Sequence, residues 1–271
     1  MKYLLLLLCG LTFTGAPAEV KRVAPTYQDD FCGIRNTSFK PGESITFKVY
    51  YNLGKMYVGA GEATFTCKLE KYNNRDVYHV IGDGKTFRAY DWIFKVRDRY
   101  ESYIDTATLK PLRFIRNVNE GGYKIYNNVA FDTEKNTATS TTGTFNVPNC
   151  VQDVISSIYY ARNIDFNKYK VGDKIPFNMF LDDEVYNIYI RYLGKEEVNT
   201  KFGKFRAIKF KPLLIKGTMF TGGEQMNVWV SDDANKVPLR IESPISVGNI
   251  VVDMVAYANL RYGFSSLIKA K

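Results

Sequence analysis

One histidine, four cysteines and 28 acidic side chains are the groups through which this 271-residue chain could do acid–base, nucleophilic or metal chemistry. His79 lies in DVYHVIGDG at an alternating position of a strand-like run. Being alone, it excludes an imidazole metal cluster, and any catalytic triad would have to rest on it. It reads as structural. There is no G-x-S-x-G elbow and no glycine-rich phosphate loop of the required spacing. Paired carboxylates remain open, because a glycosidase needs only two acids at the right separation. The densest acidic stretches, LDDE at 181–184 and SDDAN at 231–235, lack calcium-loop spacing and fall where hairpins should turn. There Asp and Asn bond their own backbone, so turn chemistry is the better reading. No cofactor and no metal is expected.

The cysteines depend on the compartment. MKYLLLLLCGLTFTGAPA has Lys2, an apolar run to Phe13, and Ala16-Pro17-Ala18 as a small-x-small cleavage pattern. Residues 1–18 read as a secretory signal, and Cys9, preceded by Leu8, fits a lipoprotein site poorly. Later apolar runs such as ISVGNIVVDMVAYANL are interrupted by Gly248, Asn249 and Asp253, so no membrane helix and no integral membrane protein is expected. Export to the periplasm makes nucleic acid a remote partner, although the formal charge is +9. Three cysteines survive cleavage. Cys67 shares an apolar face with Ala63, Phe65 and Leu69 and reads as a buried thiol. Cys32 and Cys150 are then a candidate disulfide, with three free thiols as the alternative.

The elements that must position these groups are strands. GYKIYNNVAF, VYNIYIRYL and EQMNVWV alternate with period two, and YNNRD, IGDGK, NEGG and TGGE separate such runs as turns. Only NCVQDVISSIYYARNIDF, from 149, has helical spacing: Val151, Val154, Ile155, Ile158, Tyr159 and Arg162 form one stripe. Asn149 with Gln152 is expected to cap it. Asp153 and Arg162 lie too far apart to pair on one face, so each should anchor the helix to the sheet or cap an end. Short motifs recur on either side. GESITF from Gly42 matches GDKIPF from Gly172, and DTATLKPLRF matches DDANKVPLRI, placing Pro111 and Pro238 in equivalent strands. The expected fold is mainly β, a large curved antiparallel sheet or half-barrel from two similar halves joined by one amphipathic helix. The corresponding segments are 19–37 (irregular), 38–148 (first β half), 149–163 (helix) and 164–271 (second β half).

GESITFKVYYNLGKMYVGAGEATF, VRDRYESYID with LKPLRF, VQDVISSIYYAR, TKFGKFRAIKFKP and NVWVSDDANKVPLRIE together resemble the exported bacterial family of domain of unknown function 3108. The resemblance covers roughly residues 42–245. It implies a Gram-negative envelope protein whose architecture is similar to that of lipoprotein carriers of the LolA and LolB type, and it brings no established activity.

What remains is a binding surface. The chain has 20 Tyr, 18 Phe and 2 Trp. Tyr90, Trp92 and Phe94 in RAYDWIFK, and Trp229, lie where strand alternation leaves an extra apolar side. With Ile155 and Tyr159 of the helix they are candidate ligand-binding residues, lining a concavity for a lipid, a lipoprotein or an apolar peptide. An envelope scaffold without small ligand, and a carboxylate-dependent glycan enzyme, are the alternatives; a transmembrane barrel fits less well with hairpins as polar as KYNNRD.

Overall fold

The computed structural model describes residues 32–53, 56–215, 222–245 and 248–271. The secretory signal expected at 1–18, and most of the segment 19–37, lie outside the described residues. Eight strands precede the helix: β1 (Ser44–Leu53), β2 (Met56–Tyr72), β3 (Arg75–Thr86), β4 (Arg97–Asp105), β5 (Pro111–Glu120), β6 (Tyr123–Asp132), β7 (Thr137–Thr139) and β8 (Thr144–Asn146). After α1 (Val154–Ala161) come β9 (Lys174–Leu181), β10 (Glu184–Asn199), β11 (Gly203–Pro212), β12 (Asn227–Ser231), β13 (Pro238–Pro244), β14 (Asn249–Ala258) and β15 (Leu267–Ala270).

All the strands share one antiparallel sheet, in the order β8 to β1 and then β14 to β9, with β15 beside β11. Each half is therefore a meander, and the two are joined where β1 pairs β14 from Ser44 with Ala258 to Asn52 with Asn249. The turns follow local chemistry: Asn73 and Asn74, between β2 and β3, both take positive φ, which Asn tolerates. The paired motifs open the first strand (β1, β9) and the fifth strand (β5, β13) of each meander.

The sheet is not closed into a barrel by hydrogen bonds, yet its edges curl toward each other. Phe180 of β9 meets Phe131 and Phe145 of the opposite edge at ring distances of 6.0 and 5.7 Å. The β9–β10 turn adds polar links: Thr142 Oγ1 donates to Asp183 at 2.6 Å, and Arg116 of β5 pairs with Asp182. Asp182 and Asp183 adopt the positive φ of a tight turn, so LDDE combines turn geometry with a latch between sheet edges. The curl encloses the main core, to which both meanders and α1 contribute, including Val80, Phe114, Ile155, Tyr159, Ile190 and Phe210.

The helix begins later than the sequence suggests. Asn149 is not its cap. Cys150 is in the left-handed region, and Gln152 is extended against the edge strand, donating to Asn178 O and accepting from Phe180 N at 2.9 Å each. That segment covers part of the β9 edge, where unpaired backbone would otherwise remain. Asp153 then caps α1, accepting from Ile155 N and Ser156 N at 2.7 Å, while Ser156 Oγ accepts from Asp153 N at 2.8 Å. This is a reciprocal capping box built on Ser instead of Gln. The buried face carries Ile155, Ser156, Tyr159 and Tyr160.

Candidate functional site

Strand direction sorts the loops into two ends. The β2–β3, β4–β5 and β12–β13 turns lie at one end with α1; the β3–β4 and β5–β6 connections lie at the other. The first end is closed. Arg162, following the helix, is 2 % exposed and pairs with the fully buried Glu43 through Nη1 at 2.5 Å and Nη2 at 2.9 Å. Its Nε and Nη2 also donate to Asn235 O, both at 3.1 Å. Burial alone would disfavour the guanidinium, but the Glu43 charge and hydrogen bonds outweigh it and hold the arginine ionised. Asn235 belongs to SDDAN, whose Asp233 accepts from Ser231, Asn235 N and Ser266. That cluster builds a turn, as expected of it, and the turn also presents a carbonyl to the helix.

A strap from the N-terminal side completes the closure. Cys32 and Cys150 form a disulfide with a Cα–Cα distance of 5.5 Å. Asn163 Oδ1 accepts from Thr37 N at 2.7 Å, and Phe39 packs edge-on against Tyr159. At the other end of α1, Ser102 Oγ of β4 donates to Asp153 at 2.6 Å. Burial raises the Asp153 carboxyl to about 6 despite these donors. Both ends of the helix are thus tied by polar side chains, and Cys67 is a buried free thiol near the Glu43–Arg162 pair, pushed up to about 12 by burial.

The second end is open. Tyr90, Trp92 and Phe94 are not strand residues as expected: Arg88–Tyr90 form one 3-10 turn, and the amides of Ile93 and Phe94 both donate to Tyr90 O. Asp91 causes the fold-back by accepting from Thr86 Oγ1 at 2.7 Å and from both terminal nitrogens of Arg97. Trp92 is 82 % exposed, Ile93 62 % and Phe94 47 %. The structure does not bring the six candidate lining residues together. Ile155 and Tyr159 are packed in the main core, and Trp229 sits in a second apolar cluster with Phe47, Phe205, Leu239 and Met254. Its indole N–H donates to Glu196 at 2.7 Å. Strand alternation turns Trp229 away from Val228 and Val230, which face the main core.

Between core and open rim the inner face changes character. Tyr100, Tyr186, Leu213, Ile215, Met226 and Ile241 pack on the main core but are only partly buried. Beside them, Asp98 and Glu120 form a hydrogen-bonded pair that sequence reasoning missed, because neighbouring strands β4 and β5 bring together residues 22 positions apart. Burial first, and then the Asp98 charge, raise Glu120 to about 7, so the pair shares a proton near neutrality. Carboxyls in direct contact are closer than the roughly 5 Å of a retaining glycosidase pair and leave no space between them for a sugar. His79 is also occupied, with Nε2 2.8 Å from Glu101, Nδ1 3.1 Å from Glu70, and its ring stacked on Tyr103. Among the described residues, no group of three or more His, Cys, Asp or Glu could hold a metal ion. A cavity of about 610 Å³ is lined by Asp98 together with other polar residues such as Glu62, Asp83, Lys85 and Arg99, and none of the six candidates lines it.

These features define a class: a β-barrel-like antiparallel sheet curled around a helix, strapped at one end and open at the other. The chain belongs to the family described as protein of unknown function DUF3108, which matches residues 39–255. Its fold is similar to that of a solved β-barrel-like protein of domain of unknown function DUF1849 from Brucella abortus, with TM-score 0.55 and 8 % identity over 85 % of this chain and 100 % of that one. A Bacteroides fragilis protein described as exported, with a YmcC-like fold, aligns at TM-score 0.32 and 12 % identity, covering 83 % of this chain and 100 % of the other. A Parabacteroides distasonis protein described as a lipoprotein aligns at 0.33 and 14 %, with the same coverage. No curated protein matches the sequence. At 8 % identity the likeness to the Brucella abortus protein is one of fold. No helix among the described residues is long and apolar enough to cross a membrane.

Proposed function

We propose that the protein is an exported, non-catalytic binder of an amphiphile, taking the apolar chain along the partly covered inner face at the open end. One observation carries this reading: burial falls along a continuous apolar lining. It is complete at Phe39, Ile155, Tyr159 and Phe166, and partial at Tyr186, Leu213, Met226 and Ile241. A sheet that needed only its own core would have no cause to extend that lining toward an open rim. In this reading α1 is a plug. Both of its ends are held by buried polar contacts, and a lid would have to break them to open.

Mass spectrometry of organic extracts of the purified mature protein should find a co-purifying lipid, and the delipidated protein should take up a fluorescent fatty acid. Met226→Glu with Ile241→Glu should lower uptake about tenfold, the cost of placing charge on an apolar path, while the far-UV circular dichroism stays unchanged. Lipid-free protein that takes up no probe would refute the reading.

A further inference from the structure

We infer that the rim at the open end is a docking surface for an anionic lipid bilayer, with Trp92, Ile93 and Phe94 entering the interface and Arg88, Lys95 and Lys124 meeting the headgroups. The inference rests on the shape and charge of one loop and does not depend on ligand uptake.

Three consecutive large apolar side chains exposed to between 47 and 82 % are unusual on a folded surface, and here they are held out on a built support. The Trp92 indole N–H, its one polar handle, donates back to Ala89 O at 2.9 Å, so the face turned to solvent is apolar. Phe94 rests on the β5–β6 hairpin, where Gly121 N donates to Lys95 O at 2.8 Å. A Cβ on Gly121 would lie 2.5 Å from the Phe94 ring, and its φ of +58° is left-handed, so only glycine seats the ring there. The same hairpin contributes Tyr123, also more than half exposed, to the rim. Aromatic and aliphatic groups on a rigid support are suited to the boundary between headgroups and acyl chains.

Charge selects the partner. From Thr86 to Arg97 the only acid is Asp91, and Arg97 neutralises it with nitrogens at 2.7 and 3.1 Å. Arg88 and Lys95 flank the apolar group and are exposed, as is Lys124 on the adjoining hairpin. In a two-fold contact with a second copy these cations would face one another, which opposes self-association. An anionic bilayer satisfies both the apolar centre and the basic border, and the net charge of +9 adds attraction at longer range.

The test uses the chain's own fluorescence. Of the two tryptophans, Trp229 is buried and bonded to Glu196, so a lipid-dependent change in emission reports Trp92. Vesicles of phosphatidylcholine containing phosphatidylglycerol should blue-shift the emission, and brominated acyl chains should quench it. Trp92→Ser with Phe94→Ser should weaken cosedimentation about tenfold or more, and Arg88→Glu with Lys95→Glu by a similar factor that shrinks in high salt. Both variants should keep the wild-type melting temperature. The inference fails if emission does not move with anionic vesicles, if pure phosphatidylcholine binds as well, or if either variant sediments like wild type. It also fails if the shift appears on raising protein concentration without lipid, which would mark a self-contact. Docking by a protein that takes up no fatty acid would leave this inference standing while refuting the binding proposal.

Discussion

At the closed end, Arg162 lies between Glu43 and the Asn235 carbonyl with 2 % of its side chain exposed; at the open end, Trp92 stands 82 % exposed. The strands β1 to β6 run from one of these environments to the other. The closed end spends its polar groups on one another, through a capping box, a buried ion pair and a disulfide strap, so its geometry is overdetermined. Polar groups of the open end instead fold one loop back, as Asp91 does through the Thr86 hydroxyl and the Arg97 guanidinium, and leave the apolar side chains uncovered. Two ends of one sheet can therefore serve two purposes, one specifying the fold and the other presenting a surface.

The largest break in that comparison should come from Arg162→Met. It strands the Glu43 carboxylate in the core, which costs about 3–5 kcal/mol when one partner of a buried pair is lost. Arg162→Met with Glu43→Leu removes both charges and should recover most of the loss, to within about 1–2 kcal/mol of wild type, since apolar replacements of buried pairs are often neutral. Urea denaturation measures both. If the single variant were as stable as the double, the ion pair would not be what holds the helix. The strap comes next. Cys32→Ser with Cys150→Ser opens a loop spanning 118 positions and should cost about 2–4 kcal/mol. The amides of Thr37 and Ser38, which donate to Asn163, should then lose hydrogen-exchange protection ahead of β10 or β11. Uniform loss across the sheet would mean that the strap is not a separate unit.

Much of this division was legible in the sequence because strands carry their own period. Tyr186, Ile188 and Ile190 alternate inward as their spacing implies, and the G-[ED]-x-I-x-F and P-L-R motifs mark the first and fifth strand of each meander. Whether the halves share descent is a further proposal, to be tested by superposing them under one rotation. Asp153 and Arg162 could be singled out because a charge beside an apolar helical stripe needs a partner, although neither Glu43 nor Asn235 could be identified. Spacing misled at RAYDWIFK. Its aromatic alternation imitates a strand, and the side-chain bonds of Asp91 to Thr86 and Arg97, which fold it back, have no periodic signature. The Asp98–Glu120 contact was hidden for another reason: register between strands is set by hairpin length and bulges, which residue types do not display.

That hidden pair supplies the finest comparison, between one carboxyl at each end. Asp153 is raised to about 6 and Glu120 to about 7, in both cases chiefly by burial. A carboxyl whose folded pKa lies above its unfolded value binds a proton more tightly in the folded state. Its stabilising contribution is therefore full below the unfolded pKa and is lost as pH rises to the folded one. For Asp153 the window runs from about 4 to 6, and two units correspond to about 3 kcal/mol at most. Asp153→Asn keeps a good helix cap and should flatten that part of the stability–pH curve. Glu120 should extend the decline to about pH 7, with a smaller total slope above pH 6 because only one of the two carboxyls is then still titrating. Carbon-13 titration of the Glu120 carboxyl then sharpens the contrast. Asp98→Asn removes the neighbouring charge but not the burial, so the pKa should fall only part of the way to the usual glutamate range. A complete return would show that the open end is fully hydrated at this point and that repulsion alone raises Glu120. No movement would show that the two carboxyls do not share a proton.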